Sequence, residues 1–272
     1  MRQLILPNGE DIYYLDKMTA LYVYQEIFED NVYFQHNIEI KDNDIIFDVG
    51  ANIGLFSKYT AKLASDLKIF TFEPILDIFT VLKANLKDVS ATFRHYNIGI
   101  GETEKEIDFL YYPNVCADST AIPFEWKRKV DLYLEHYEEV VCKDFPGAKN
   151  IPEKSRKEFI EKILKRLYKG KKIKGIIRPL SAIIKENNIQ NIDLLKIDAE
   201  NYEKQVIAGI LDGDWKKIQQ ISMEVHEHIK EGQNLLNELS NFLSNKGFNI
   251  SIGADCRETK LAVYMLYAKR YH

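Results

Sequence analysis

The stretch that decides the fold is IIFDVGANIGLFS, from Ile45 to Ser57. A short apolar strand ends at an acidic residue, a turn with two glycines follows, and apolar residues then recur at the helical period. KIFTFEP, from Lys68, and LLKID, from Leu194, are also apolar strands that end in acidic residues and precede helical patterns. This alternation predicts right-handed crossovers and an open, doubly wound α/β fold with a parallel sheet.

Outside the alternating pattern, the two closing strands lie within FNISI and LAVYMLYAKR and follow each other without a predicted helix. They should form an antiparallel pair at the sheet edge. At the other end of the chain, TALYVYQEIFE predicts a helix from Thr19 to Glu29 with Thr19 as its cap. We therefore divide the chain into an N-terminal helical extension, residues 1–40, and one domain, residues 41–272.

A long interruption of the pattern follows Tyr112, and we assign an inserted helical cap to residues at about 121–178. Between Lys149 and Arg178 there are twelve Lys or Arg and three Glu, a net charge of +9 in a chain whose formal charge is −4. This charge is either a solvated helix face or a patch that recruits an anionic substrate or an acidic partner. One helix, KSRKEFIEKILKRLY, should turn four apolar residues inward: Phe159, Ile163, Leu164 and Leu167.

Composition excludes several classes of protein. With 272 residues and 46% hydrophobic residues, the chain can bury a large core, and its net charge of −4 favours neither nucleic acid nor an anionic membrane. No apolar stretch reaches the length of a membrane span, and no secretory pattern opens the chain. Cys116, Cys142 and Cys256 follow no C-x-x-C spacing, so we expect neither a disulfide framework nor a cysteine zinc site, and we expect a cytoplasmic protein.

Polar residues at the strand ends indicate a nucleotide-like cofactor, because ligands of open α/β sheets bind at the carboxyl ends of the strands. The turn after Asp48 lacks the middle glycine that lets a pyrophosphate approach, and Asp48 would repel that group. S-adenosylmethionine has no phosphate, and its ammonium and carboxylate suit Asp48 and the loop amides. A Gly-x-x-x-Gly turn alone also occurs at structural strand-to-helix joints. Glu73 strengthens the cofactor interpretation, because its spacing from the glycines is that of an acidic residue that accepts hydrogen bonds from both ribose hydroxyls.

The sequence resembles the FkbM-like family of S-adenosylmethionine-dependent methyltransferases in IIFDVGANIGLFS, FTFEP, NIGIG, LLKIDAENYEKQVIAG, ISMEVHE and YMLYAKR. The resemblance implies a seven-stranded Rossmann-like methyltransferase sheet. The chain departs from the family pattern at Asn201, where a glycine is usual. Residues 114–120 resemble the loop that many family members carry beside the acceptor site, but they could also form a simple polar loop. The implied cofactor-binding residues are Asp48, Gly50, Ala51, Asn52, Gly54, Glu73, Pro74, Asn97, Ile98 and Asp198.

Two predicted strands, in LLKIDAE and ISMEVHE, carry our four candidate catalytic residues at or just after their ends: Asp198, Glu200, Glu224 and His226. His226 is the first candidate for the base that removes the acceptor proton, and Asp198 is the second. His226 could instead be a satisfied structural residue, and Glu200 and Glu203 could simply complement the next helix dipole. Asp198, Glu224 and His226 could also hold a divalent metal, but we predict no metal site.

These observations predict an S-adenosylmethionine-dependent methyltransferase that modifies a hydroxyl oxygen of a small molecule, a sugar or a carrier-bound substrate. A sugar, a small natural product, a carrier-bound acyl chain and a peptide all stay open as acceptors, as does the oligomeric state. The alternative function is a non-catalytic module that keeps the nucleotide pocket and binds an acidic partner through the basic insertion.

Overall fold

The computed structural model describes residues 1–227, 234–253 and 257–270, and a seven-stranded sheet forms its centre. Twelve strands are described: β1 Arg2–Ile5, β2 Asp11–Tyr14, β3 Ile45–Val49, β4 Lys68–Phe72, β5 Thr92–Tyr96, β6 Gly99–Ile100, β7 Lys105–Tyr111, β8 Lys171–Arg178, β9 Leu194–Ile197, β10 Gln220–His226, β11 Asn249–Ile252 and β12 Val263–Lys269. The central sheet has the order β11-β12-β10-β9-β3-β4-β5.

Helices cover both faces of this sheet, and short helical turns occur in the connections. The α-helices are α1 Lys17–Tyr24, α2 Leu55–Thr60, α3 Leu76–Leu86, α4 Trp126–Glu135, α5 Cys142–Asp144, α6 Glu153–Leu167, α7 Leu180–Glu186, α8 Glu203–Ala208, α9 Leu235–Asn245 and α10 Arg257–Lys260. Turns in 3-10 or π-helical geometry are Gln25–Glu29, Val32–Phe34, Cys116–Asp118, Tyr137–Val141, Pro146–Asn150 and Asp212–Lys217.

The predicted doubly wound sheet with an antiparallel edge is confirmed. β3 pairs in parallel with β4 and β9, and β12 runs antiparallel to both β10 and β11. The central strands are almost continuously apolar because helices cover both faces of a parallel sheet. The carboxyl ends of β3, β4, β9 and β10 consequently meet along one edge.

The first forty residues differ from the predicted helical extension. β1 and β2 form an antiparallel hairpin before the helix, with Gly9 at φ +85° in its turn. The helix begins at Lys17, and its cap is Asp16, whose side chain accepts a hydrogen bond from the Thr19 amide at 2.7 Å. The predicted cap at Thr19 is therefore wrong, because the aspartate three residues earlier already caps this helix.

The insertion carries the predicted helices, but its last eight residues are not helical. Residues 171–178 form β8, which pairs antiparallel with β7 and parallel with β6 in a separate three-stranded sheet. Ile173, Gly175 and Ile177 alternate with charged or exposed residues, which is the period of a strand. On α6 the buried residues are Ile160 and Leu164; Phe159, Ile163 and Leu167 are only partly covered.

Cys116 and Cys142 are buried free thiols, and Cys256 lies outside the described residues. Over the described part of the chain, no helix combines the length and apolar character that crossing a membrane requires.

Candidate active site

A cavity of about 390 Å³ lies at the carboxyl ends of β3, β4, β9 and β10. Two groups of lining residues concern the predicted chemistry. The loop end consists of Gly50, Ala51, Asn52, Glu73 and Pro74. The acidic end consists of Asp198, Glu200, Glu224 and His226. The strand ends thus bring nine of the predicted site residues to one cavity.

The turn at the loop end requires a glycine. Gly50 has φ +73°, and a Cβ added there would lie 1.7 Å from the carbonyl oxygen of Asp198. The amides of Gly50 and Ala51 both donate to the Phe72 carbonyl, at 3.1 and 3.0 Å. The backbone of this turn is therefore held between β4 and the end of β9, and no side chain fits between the turn and β9.

Asp48 and Gly54, two predicted cofactor residues, lie behind the turn and not in the lining that the described residues form. Asp48 is fully buried, and its carboxylate accepts a hydrogen bond from the Ser57 hydroxyl at 2.7 Å. Burial raises the pKa of Asp48, and the charge of Lys196 opposes that rise. Gly54, which directly precedes α2, has φ +87° and packs beside Leu86 of α3. Asp48 can act on a ligand only through its electric field.

Glu73 is the polar anchor of the loop end. Its carboxylate accepts hydrogen bonds from the amides of Ile75 at 2.9 Å and Asn52 at 3.2 Å, and burial raises its pKa to about 7. Asn97 donates from Nδ2 to the carbonyls of Glu73 and Pro74, at 2.9 and 3.1 Å. In the described lining, Asn97 and its neighbour Ile98 do not reach the cavity, so Asn97 shapes the turn from behind.

His226 is held between two carboxylates at the acidic end. Its Nδ1 lies 2.8 Å from Oε1 of Glu203, which is fully buried, and its Nε2 lies 3.4 Å from Oε2 of Glu200. Burial alone would lower the pKa of His226, but Glu200, Glu203 and Glu224 raise it well above the ordinary value. The site therefore favours the imidazolium form. Glu203 is an orienting partner of His226, and not merely a helix-dipole charge.

Asp198 connects the acidic end to the N-terminal segment. Its Oδ2 accepts a hydrogen bond from the Tyr33 hydroxyl at 3.0 Å and lies 3.2 Å from the Lys196 ammonium. Burial opposes ionisation of Asp198, but Lys196 and His226 hold its pKa below the ordinary value. Burial and the charge of Asp198 raise the pKa of Glu224 well above its usual range. Asp198 is thus the more acidic of these two neighbouring carboxyls.

Among the described residues, Asp198, Glu224 and His226 also have the arrangement of a possible metal centre. One ligand atom from each lies within 4.8 Å of those of the other two. Two carboxylates and an imidazole are donors that a divalent cation could use. This grouping matches the metal set that the sequence left open.

The loop of residues 114–120 and the start of the insertion that follows it contact the acidic end. The Thr120 hydroxyl donates to the Glu200 carbonyl at 2.5 Å, and Asn201 donates from Nδ2 to the Ile122 carbonyl at 3.0 Å. Glu200 and Asn201 have φ +45° and +73°, so the turn is left-handed at the position where the family usually has glycine. Asparagine tolerates this backbone better than most residues, and the turn is preserved.

Tyr33, Lys129 and Lys196 are among the polar residues of the cavity wall that sequence reasoning missed. The ammonium of Lys129 lies 4.1 Å from the ring centroids of both Phe124 and Tyr168, and 3.4 Å from Asp118. A signal for Lys196 was present, since a lysine inside an apolar buried strand requires a partner. The sequence has no corresponding signal for Tyr33, which lies 165 residues from its partner Asp198.

The sheet order and this cavity define a Rossmann-like methyltransferase. The family model "Methyltransferase FkbM domain" matches residues 48–250, and the chain belongs to that family. It is 32% identical over 97% of its length to the AMB antimetabolite synthetase AmbE of Pseudomonas aeruginosa, of which it spans only 12%. Over 98% of its length the chain is 28% identical to the 31-O-demethyl-FK506 methyltransferase FkbM of Streptomyces tacrolimicus, and it spans 96% of that protein. It is 29% identical over 92% to the methyltransferase sdnD of Sordaria araneosa, spanning 90%.

Proposed function

We propose that the protein transfers the methyl group of S-adenosylmethionine to a hydroxyl oxygen of a small-molecule, sugar or carrier-bound acceptor. The observation that carries this proposal is the single cavity that joins the loop end to the acidic end. The name of the Streptomyces relative describes methylation at an oxygen of that protein's own substrate, which supports the same atom type here.

The loop end fits the cofactor. Gly50 lets the turn pack against the Asp198 carbonyl, and Gly50, Ala51 and Asn52 line the cavity, so a ligand could lie along the backbone of the turn. Glu73 would accept the two ribose hydroxyls, and Asp48, behind the turn, would attract the positive sulfonium through its field. Once bound, S-adenosylmethionine supplies an already electrophilic methyl group, so the protein has to align the acceptor and remove its proton.

The acidic end suits proton removal. Glu203 holds Nδ1 of His226, and Nε2 of the same ring lies beside Glu200 in the cavity lining. We assign the acceptor proton to His226, with Asp198 as the second candidate, because Glu203 fixes the ring in the cavity wall. Since Glu200, Glu203 and Glu224 raise the pKa of His226 well above its ordinary value, the ring must lose its own proton before it accepts one, and turnover should rise with pH.

The direct test is incubation of the purified protein with labelled S-adenosylmethionine and a panel of hydroxyl-bearing acceptors, with release of S-adenosylhomocysteine as the readout. The proposal expects acceptor-dependent release and a labelled ether product. Binding of the cofactor without any acceptor-dependent release would favour the alternative, a non-catalytic module that holds an acidic partner.

A prediction for Glu73 follows from its raised pKa. Glu73→Ala should weaken S-adenosylmethionine binding by about 1–3 kcal/mol, because charge-assisted hydrogen bonds to the ribose are lost. In the unchanged protein, affinity should rise roughly tenfold between pH 6 and pH 8, since at low pH the proton on Glu73 must first leave. Calorimetry at several pH values measures both effects.

Glu73→Gln is the matched control, since it keeps the shape of the side chain and removes its titration. Its affinity should be low and nearly independent of pH across this range. An identical pH dependence in the wild type and in Glu73→Gln would assign the effect to another group.

A second prediction concerns the basic cap. Lys165 and Lys171 are both more than half exposed. If the cap attracts an anionic acceptor or carrier, the acceptor KM must rise with salt, because the Debye length falls from about 10 Å at 0.1 M to about 3 Å at 1 M. Cofactor affinity should barely respond. Five charge-neutralising changes to Gln should raise the acceptor KM and flatten its salt dependence: Lys165, Arg166, Lys169, Lys171 and Lys172. Steady-state kinetics across a salt series provides the test, and a KM that ignores both salt and these changes would identify a solvated face.

A further inference from the structure

Lys196 is a buried cation in the wall of the cavity. It lies in the strand β9, whose four residues are all buried, and the whole residue is 2% exposed. Removing an ammonium from water costs several kcal/mol unless opposite charge and hydrogen bonds compensate. The lysine is therefore retained in this strand by its partners.

Those partners come from both ends of the cavity. The Lys196 ammonium donates to the Gly50 carbonyl at 2.8 Å, at the loop end. It lies 3.4 Å from Oδ1 of Asp48 and 3.2 Å from Oδ2 of Asp198. The rings of Tyr33 and Phe56 lie beside it, at 5.3 and 5.7 Å from their centroids. One side chain thus fixes the turn and neutralises a carboxylate.

Lys196, Asp48 and Asp198 together carry a net charge of −1. Asp48 and Asp198 contribute two negative charges and Lys196 one positive charge, and the two carboxylates hold the lysine pKa above its ordinary value although burial opposes this. This net negative charge would attract a cationic ligand in the cavity more than a neutral one. S-adenosylmethionine and S-adenosylhomocysteine differ by one positive charge, on the sulfur atom.

We propose that Lys196 is a positioning residue that sets how strongly the cavity prefers the cationic cofactor over its neutral-sulfur product. This inference rests on the proposed function, because it takes S-adenosylmethionine as the cofactor. Lys196 repels a bound sulfonium and does not repel a neutral sulfur. At a pH where Asp48 and Asp198 stay ionised, removal of Lys196 therefore increases the attraction for the sulfonium while the attraction for the neutral sulfur does not increase.

The test measures the dissociation constants of both ligands by calorimetry for the wild type, Lys196→Met and Lys196→Arg. In Lys196→Met the ratio of the S-adenosylhomocysteine Kd to the S-adenosylmethionine Kd should rise about tenfold or more, as expected when one unit charge is removed from the wall of a buried cavity. Lys196→Arg keeps the charge and should stay within about threefold of the wild type. A merely structural role would weaken both ligands equally, so an unchanged ratio in a folded Lys196→Met protein overturns the proposal.

Asp48→Asn keeps the test decisive if Lys196→Met does not fold, because it removes one negative charge and retains a side chain of similar shape beside Ser57. Its ratio should fall, opposite to the effect of Lys196→Met, and an unchanged ratio would contradict the charge balance. If the wild type binds neither ligand, the proposed function fails. If it binds both and neither variant moves the ratio, only the role of Lys196 fails.

Discussion

Replacing His226 with Ala, or Asp198 with Asn, is expected to lower turnover by about 100-fold or more, while S-adenosylmethionine still binds. The side chains of His226 and Asp198 line the acidic end of the cavity, whereas Gly50 and Glu73 line the loop end, although the backbone carbonyl of Asp198 adjoins Gly50. Loss of a positioned proton acceptor costs roughly 10²–10⁴ in rate, and the effect should fall on kcat more than on cofactor affinity. Steady-state kinetics combined with calorimetry separates the two quantities.

His95→Ala is a suitable control, because His95 lies on β5, bonds to Thr71, and is not part of the cavity lining formed by the described residues. It should keep near-normal turnover. Near-normal rates in both acidic-end variants would remove His226 and Asp198 as proton acceptors. An activity assay in the presence of EDTA tests the metal alternative. If EDTA abolishes activity and magnesium restores it, Asp198, Glu224 and His226 form a metal centre.

Gly50→Ala is expected to abolish cofactor binding and to reduce the stability of the fold. The added Cβ would lie 1.7 Å from the Asp198 carbonyl oxygen, and the positive φ of +73° is itself unfavourable for alanine. The turn must move away from β9, which would separate Gly50 from Lys196. Thermal denaturation and calorimetry should show a lower Tm and no measurable binding.

Gly213→Ala is the matched control for this change. A Cβ at Gly213 would meet no atom within 4 Å. This variant should unfold at nearly the wild-type temperature and bind the cofactor normally. A Gly50→Ala protein with unaltered Tm and affinity would show that the turn adapts without cost.

The centre of the sheet could be predicted because β3 and β4 carry a complete local signal. An apolar run, an acidic end and a helical period follow one another within about twenty residues in IIFDVGANIGLFS and in KIFTFEP. β8 was missed because its alternation of isoleucine and lysine is short and lies in a segment dominated by a basic helix. The cap at Thr19 was wrong because two residues with capping side chains, Asp16 and Thr19, lie within one turn.

The candidate site was predictable where strand ends carry it, and unpredictable where distant segments meet. Asp198 and His226 were found from their strands. The pairing of His226 with Glu203 depends on how α8 packs against β10, and that of Asp198 with Tyr33 depends on where the N-terminal segment crosses the sheet. Local periodicity does not determine such contacts, because they depend on the completed topology.

The placement of β12 has a consequence for what counts as an autonomous folding unit. The family match ends at residue 250, within β11, and the described partner of β11 is β12, which also covers β10 and its Glu224 and His226. The match begins at residue 48, so it also leaves out Tyr33. A protein trimmed to the matched residues would leave the edge of β10 unpaired and the Asp198 carboxylate without its phenol donor. We therefore expect the smallest stable fragment to be larger than the segment by which the family is recognised.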